Sequence, residues 1–188
     1  MPKFEINKNG IKFIEELIDN GADQKLQKTL RDLHYADIAE IIDELSTGQA
    51  TYLVKLLNSD RTADALAELD EDIREGILEK LSAKEIAEEI EELDSDDAAD
   101  LIAELPEERQ ERVMLQISDS EHLEDIRELL TYDENTAGGL MAKELVKVED
   151  GLSVLKCLNA MRAQAEEVTR VHSIYVVDEN NIPVSYTH

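Results

Sequence analysis

The densest group of residues able to do chemistry is an acidic segment from Glu85 to Glu111. It contains thirteen aspartate or glutamate residues and a single basic residue, Arg109. Asp96 and Asp100 are four residues apart within it, so a helix would place both carboxylates on one face. Repulsion among like charges destabilises such a segment, and a divalent cation would relieve that repulsion. A solvated acidic helix face is the alternative interpretation.

A further carboxylate, Asp64, stands in an equivalent position of an earlier segment. Asp64 lies five residues before Leu69, and Asp100 lies five residues before Leu105. Both leucines belong to a repeat, so the two aspartates share a register in different repeat units and could face a common neighbour. Magnesium prefers hard oxygen ligands, and a protein-bound Mg²⁺ ion typically uses only one or two carboxylates. The residue types therefore suit Mg²⁺ better than a soft metal.

Other chemistries have less support in the sequence. The four histidines are scattered without metal-ligand spacing, and the single cysteine, Cys157, lies beside apolar neighbours. The stretch that begins at Asp94 is no EF-hand loop, because its sixth position is Ala99 instead of glycine. No nucleophile or histidine partner accompanies the paired carboxylates, so we predict neither a catalytic residue nor an organic cofactor site.

A ladder of large aliphatic residues must position these carboxylates. Its members recur every twelve residues: Leu33, Leu45, Leu57, Leu69, Leu81, Leu93, Leu105, Ile117 and Leu129. An apolar residue three positions earlier gives each unit a helical face, and a capping or helix-breaking residue usually follows the ladder position. These followers are Ser46, Asn58, Asp70, Ser82, Asp94, Pro106 and Ser118. Each unit is therefore predicted to be one short helix with a tight turn, and two units form a 24-residue hairpin.

Helices this short are marginal alone and need stacking to bury their apolar faces. We therefore predict a mainly α fold, a right- or left-wound α-superhelix of these hairpins over about residues 11–130. The first helix would cover one end as an amphipathic lid formed by Ile11, Phe13, Ile14, Leu17 and Ile18. Residues 1–130 are predicted to form this acidic N-terminal domain.

The helical period stops after Leu130, at a hinge or joint predicted over residues 131–142. The paired glycines Gly138 and Gly139 permit backbone angles that are closed to other residues, so we predict a tight joint here. A phosphate-binding loop is disfavoured because no Lys-Ser/Thr pair follows the glycines. Residues 143–188 then read as a small α/β unit: an extended segment at 145–148, a helix with Val154, Leu158 and Met161 on one face, and a buried strand at 174–177.

Composition limits the classes of function. The formal net charge of −26 disfavours nucleic acid and anionic membranes as partners and favours cations or basic proteins. One cysteine fits a reducing compartment, and the sequence shows neither a signal peptide nor an apolar run of the roughly 20 residues that a membrane span needs. We therefore expect a soluble cytosolic chain.

The segment from Tyr132 to Met141 resembles the Tyr-x-Glu-x-Thr-Ala-Gly-x-Leu-Met signature of the MgtE family of magnesium channels and transporters. As in that family, it follows a helical repeat, here with the sequence Asp-Asp-Ala-Ala-Asp-Leu at 96–101. It also precedes a stretch, about 143–177, that resembles the start of a cystathionine-β-synthase-type (CBS) domain. The resemblance covers nearly the whole chain.

This resemblance implies a magnesium-sensing regulatory region on the cytoplasmic side of the cell membrane. The implied partners are Mg²⁺, the CBS and transmembrane domains of the same protein, and a second subunit in a homodimer. The family's interdomain metal ligands correspond to Asp64, Asp96 and Asp100 here, while Asp97 is a neighbour that shares their field. The ion would bind between the N-terminal and CBS domains and close the pore when it is plentiful.

The chain departs from the family pattern near its end. In the family, the strand that resembles 174–178 is followed by a second apolar strand, the rest of the CBS pair and five membrane helices. Here the chain ends shortly after Pro183, which cannot donate to a sheet ladder. We expect a fragment with an incomplete first CBS motif over 143–188, an exposed strand edge, and no CBS-side metal ligands. The alternative function is a helical-repeat scaffold for protein interaction that is indifferent to magnesium.

Overall fold

A computed structural model describes residues 4–57, 60–133, 135–165, 168, 171 and 173–187. Asn58, Glu134, His172 and His188, which enter the sequence analysis, lie outside these residues. The helices before the joint are α1 (Lys8–Asp19), α2 (Asp23–Leu30), α3 (Tyr35–Asp43), α4 (Thr47–Leu57), α5 (Asp60–Ala67), α6 (Glu71–Leu78), α7 (Ala83–Ile90), α8 (Ser95–Ala103), α9 (Glu107–Met114) and α10 (Ser120–Leu129). We call α1–α10 the superhelix.

After the joint come β1 (Val146–Glu149), α11 (Val154–Gln164), β2 (Ile174–Val177) and β3 (Pro183–Thr187), which together we call the C-terminal unit. The predicted mainly α fold with a small α/β unit at the end is confirmed. None of the helices in the described part of the chain is long and apolar enough to cross a membrane.

The ladder residues lie at the ends of the helices, either as the last helical residue, as Leu57 and Leu129 do, or within three residues after it. The amide of Leu81 donates to the carbonyl of Leu78 over 3.2 Å, and those of Leu93 and Leu105 make the corresponding bonds over 3.1 and 3.0 Å. The ladder side chains from Leu69 to Leu129 are buried, whereas the earlier members of the ladder are half-buried. The residue that recurs every twelve positions therefore packs the end of one helix against the core just before the next helix begins.

Helix packing follows the predicted 24-residue period. Each of α3, α5 and α7 packs against the second helix after it, and α4 packs on α6 and α8 on α10 in the same way. At the N-terminal end, α1 packs on α2 and α4, and it buries Ile14, Leu17 and Ile18 of the predicted lid. One continuous apolar core therefore runs through the superhelix.

The helix caps agree with the sequence in part. Ser82, one of the predicted capping residues, forms a capping box with Glu85 at the start of α7. Ser118 does not cap α10, because the residue before that helix is Asp119, whose side chain accepts two backbone amides. The hydroxyl of Ser118 instead donates to the carboxylate of Glu91 over 2.6 Å.

The C-terminal unit is a three-stranded sheet among the described residues, in the order β1-β2-β3. β1 and β2 are parallel, as their connection through α11 requires, and β2 and β3 are antiparallel. The first strand begins one residue later than predicted. The second has the predicted bounds, but the expectation of a buried strand is wrong, because only Val177 is buried in it.

The chain also continues into a strand where we expected none. A tight turn follows β2, in which the Asp178 carboxylate accepts the amides of Asn180 and Ile182 over 2.8 and 2.9 Å. Pro183 then begins β3, and the missing proline N–H is tolerated at the first residue of a strand. All residues of β3 are exposed.

Gly138 of the joint leaves room for a neighbouring side chain and does not adopt an unusual backbone angle. Gly138 does not lie in the left-handed region, so the backbone freedom that glycine permits is not used at this position. A Cβ atom at Gly138 would stand 2.5 Å from Cδ1 of Tyr132 and 2.6 Å from Cγ, so the absent side chain makes room for this ring. Within the joint, the backbone at Gly138 therefore packs directly against the ring of Tyr132.

Candidate metal site

The predicted metal-binding carboxylates lie on two helices of the superhelix. Asp96 and Asp100 belong to α8 and Asp64 belongs to α5. Asp100 is exposed, whereas Asp64 and Asp96 are half-buried. The apolar residues of α8, Ala98, Ala99, Leu101 and Ile102, are buried and hold the acidic first turn against the core.

All three of these carboxylates act on a neighbouring residue, Asp97. The pKa of Asp97 is raised to about 6, first by partial desolvation, although its side chain reaches solvent. Repulsion from four further carboxylates adds to the rise: Asp96, Asp94, Asp100 and Asp64. Asp64 therefore lies close enough to α8 to affect its charge, as the shared register suggested.

The sequence identifies Asp97 only as a neighbour of the predicted ligands. Its position next to Asp96 gave no sign that four other carboxylates would repel it. The number of acidic residues around Asp94 to Asp100 was the available signal, but only the approach of α5 adds Asp64 to them.

The side chains do not form a closed ligand set. In the part of the chain that the structure describes, no three His, Cys, Asp or Glu residues are grouped closely enough to hold a metal ion. The assignment of Asp64, Asp96 and Asp100 to metal binding stays a prediction. The donor chemistry nevertheless fits Mg²⁺, which often keeps several waters and uses one or two carboxylates.

A pocket of about 410 Å³ connects Asp100 to the joint. Its lining includes Asp100 and Glu104 of α8, Arg74 of α6, and Tyr132 and Gly139 of the joint. The Arg74 guanidinium pairs with Glu104 through two nitrogens, one of them 2.9 Å from a carboxylate oxygen. Arg74 therefore neutralises the Glu104 carboxylate at the edge of this pocket, and Asp100 lies one helical turn before Glu104.

A second contact joins the C-terminal unit directly to α8. The backbone and hydroxyl of Ser95 donate to the Glu144 carboxylate over 3.0 and 2.8 Å. The amide of Lys143 donates to the Ser95 hydroxyl over 3.0 Å. The Lys143 ammonium in turn lies 2.6 Å from a carboxylate oxygen of Glu128 on α10. The two residues before Leu145 therefore anchor the unit to both α8 and α10.

One carboxyl group of the superhelix is buried far more deeply. Glu89 on α7 is 3% exposed, and its Oε2 has no hydrogen-bond partner among the described residues. Desolvation, with repulsion from Glu88 and Glu92, raises its pKa to about 8. Glu89 is therefore protonated near neutral pH.

Taken together, the fold and this site define an acidic helical-repeat module followed by a small α/β unit. Residues 33–135, more than half of the chain, match the family described as the MgtE intracellular N domain. The chain therefore belongs to the MgtE family.

Similar proteins agree with this membership. The magnesium transporter MgtE of Thermus thermophilus is 43% identical over 51 residues, which are 27% of this chain and 11% of that protein. The aligned part of the chain thus spans about a tenth of this relative's length.

Two solved structures have the same fold. The cytosolic domain of the Mg²⁺ channel MgtE in complex with ATP is 27% identical, with a TM-score of 0.84 over 94% of this chain and 72% of that one. The soluble part of a magnesium transporter is 23% identical, with a TM-score of 0.81 over 94% and 70% of the two chains. The second likeness concerns the fold alone.

Proposed function

We propose that this chain is the cytosolic regulatory part of a magnesium transporter or channel, in which Asp64, Asp96 and Asp100 contribute to binding Mg²⁺. Residues 143–188 would be the start of a CBS-type unit, and the ion would act between this unit and the superhelix to gate a pore in the membrane part of a homodimeric protein. On this proposal the chain catalyses no reaction. Family membership and the MgtE cytosolic-domain fold support it.

The observation that carries the proposal is the mutual repulsion at α8. The pKa of Asp97 is raised first by partial desolvation and then by repulsion from the surrounding carboxylates, so these groups lie within reach of one another's charge. The sequence alone accounts for the aspartates of α8, whereas the fold adds Asp64 of α5 to the groups that repel Asp97. Such a group gains most from a hard divalent cation.

The chain's own residues supply a rigid frame and a joint for the proposed sensing. The buried face of α8 fixes the acidic turn on the superhelix. Asp100 lines the pocket beside the joint, where Gly138 leaves room for Tyr132. Bound Mg²⁺ would supply the positive charge that offsets these carboxylates.

The ion shifts the arrangement only if one state binds it more tightly than the other. Ligands shared between the superhelix and the CBS face would provide this difference. We therefore expect weak binding of Mg²⁺ by this chain and tighter binding by a chain extended through a complete CBS pair.

The test is a magnesium titration of both chains, followed by hydrogen exchange and small-angle scattering. We expect slower exchange in α8 and a more compact particle with Mg²⁺, and loss of both responses in the triple variant Asp64→Asn, Asp96→Asn, Asp100→Asn. The matched control is Asp32→Asn, Asp43→Asn, Asp72→Asn, which makes the same change in charge at exposed positions. A response that persists in the first triple variant would overturn the assignment of these residues.

An interaction scaffold is the second candidate, and exposed apolar residues favour it. They are concentrated in the C-terminal unit, where Val154, Leu155, Val184 and Tyr186 are each more than half exposed. A scaffold that uses this surface predicts no response to Mg²⁺ in either chain. The same titration therefore separates the two functions.

A further inference from the structure

The N-terminus of α8 is capped by a residue from beyond the joint. The first amides of a helix lack partners within the helix and are usually satisfied by a side chain just before it. The residue in that place, Asp94, makes no capping bond to the α8 backbone. The Glu144 carboxylate accepts the amide of Ser95 instead, over 3.0 Å, although the two residues are 49 positions apart.

This contact is partly buried and is made by several hydrogen bonds. Ser95 is fully buried, and its hydroxyl lies between the Glu144 carboxylate, 2.8 Å away, and the amide of Lys143, 3.0 Å away. His122 of α10 places Nδ1 4.0 Å from the same carboxylate. The half-buried Glu144 carboxylate would lose all of these bonds together if it moved away, so the contact is made or broken as a unit.

The neighbouring helix α7 shows that the repeat does not require such an arrangement. There Ser82 and Glu85 form a capping box within the helix itself. The first turn of α7 is therefore stabilised locally, whereas the first turn of α8 depends on where the C-terminal unit lies.

We propose that Glu144 is a positioning residue that couples the C-terminal unit to the acidic turn of α8. When the unit is docked, Glu144 orders the turn that carries Asp96 and Asp97. When the unit moves away, that turn loses its cap and its carboxylates lose their fixed spacing. The coupling to Mg²⁺ rests on the function proposed above, but the capping does not.

The first test measures hydrogen exchange of the full chain without metal. Glu144→Ala should accelerate exchange of the amides of residues 95–97 several-fold, roughly 5-fold for the loss of a typical cap. Glu144→Gln, which keeps one acceptor oxygen, should have a smaller effect. Amides of α7 should not change, which separates a local loss of the cap from general destabilisation. Glu149→Ala is the control, because Glu149 is exposed in β1.

Equal exchange at residues 95–97 in Glu144→Ala and Glu149→Ala would overturn the inference. Ser95→Ala tests it from the other side, because removing the hydroxyl should make a further Glu144→Ala substitution less damaging than it is alone. Additive effects of the two substitutions would also count against the coupling.

The second test repeats the magnesium titration. Glu144→Ala should raise the Mg²⁺ concentration at the midpoint several-fold, and Glu149→Ala should not. If exchange is faster in Glu144→Ala but the wild-type chain does not respond to Mg²⁺, the cap is supported and the proposed function is rejected. A magnesium response with unchanged exchange in Glu144→Ala would uphold the proposed function and reject the cap.

Discussion

The superhelix and the C-terminal unit bury their apolar residues to very different extents. In the superhelix, an uninterrupted set of fully buried aliphatic side chains runs from α1 to α10. In the C-terminal unit, Val146, Val148 and Val177 are the buried apolar residues among those described, and α11 contains none. Hydrophobic burial therefore stabilises the superhelix far more than the C-terminal unit, which leaves the unit dependent on contacts at its edges.

The largest effect expected from this comparison concerns core packing. Ile90→Ala in α7 should lower the free energy of unfolding by about 2–5 kcal/mol, because Ile90 is 0% exposed and its truncation leaves a cavity. Leu155→Ala in α11 should change it by less than about 0.5 kcal/mol, since Leu155 is 70% exposed. Urea unfolding measures both. Similar losses would show that α11 is packed against something in solution.

A pH effect should also separate the two regions. The folded-state pKa of Glu89, about 8, is above its ordinary value of 4.5. The protonated form is thus favoured by the fold, and this contribution to stability is complete below about pH 4.5 and lost as the pH rises toward 8.

Glu89→Gln should remove this dependence. Relative to the wild type, the variant should gain stability between pH 5 and pH 8, on the order of 2 kcal/mol. Glu149→Gln in exposed β1 should leave the profile unchanged. Unfolding free energies at several pH values would measure this, and parallel profiles for the wild type and Glu89→Gln would contradict the prediction.

Substitutions of two glycines, one in the joint and one in α4, should have smaller effects of opposite sign on the free energy of unfolding. Gly138→Ala would place its methyl group against the Tyr132 ring and should destabilise the chain by roughly 1–2 kcal/mol. Gly48→Ala is the matched control, because its Cβ would meet no atom within 4 Å in α4 and should stabilise that helix by about 0.5–1 kcal/mol. Thermal unfolding compares them. Stabilisation by both substitutions would show that Tyr132 moves aside freely.

The smallest expected difference concerns two serines at helix starts. Ser82→Ala removes the capping box of α7 and should cost about 1 kcal/mol. Ser153→Ala at the start of α11 should cost much less, because the Ser153 side chain makes no capping bond. Hydrogen exchange of the first turn of each helix reports this directly. An equal effect at both serines would contradict the assigned caps.

Features with a short repeat or a local cause were predictable from the sequence. The twelve-residue ladder predicted the stacked short helices, because each leucine ends one helix and enters the core. The Ser82 capping box was equally predictable, since its partners are three residues apart. The strand β3 was missed because Pro183 was weighed without the turn at Asp178 that leads into it.

The candidate site was predictable only in part. Shared register related Asp64 to Asp100, and the structure shows that Asp64 affects the charge of α8. The rise in the pKa of Asp97 and the burial of Glu89 depend on how neighbouring helices enclose each side chain, which no spacing in the sequence reports.

The sequence by itself determined the helical repeat, its period and the signature that resembles the MgtE family, because these depend on residues close together in the chain. The tertiary structure alone decided how α8 begins, since the cap on Ser95 comes from Glu144 across the joint. A helix terminus that lacks a local cap takes a partner from whatever packs beside it, and only the folded chain brings that partner close.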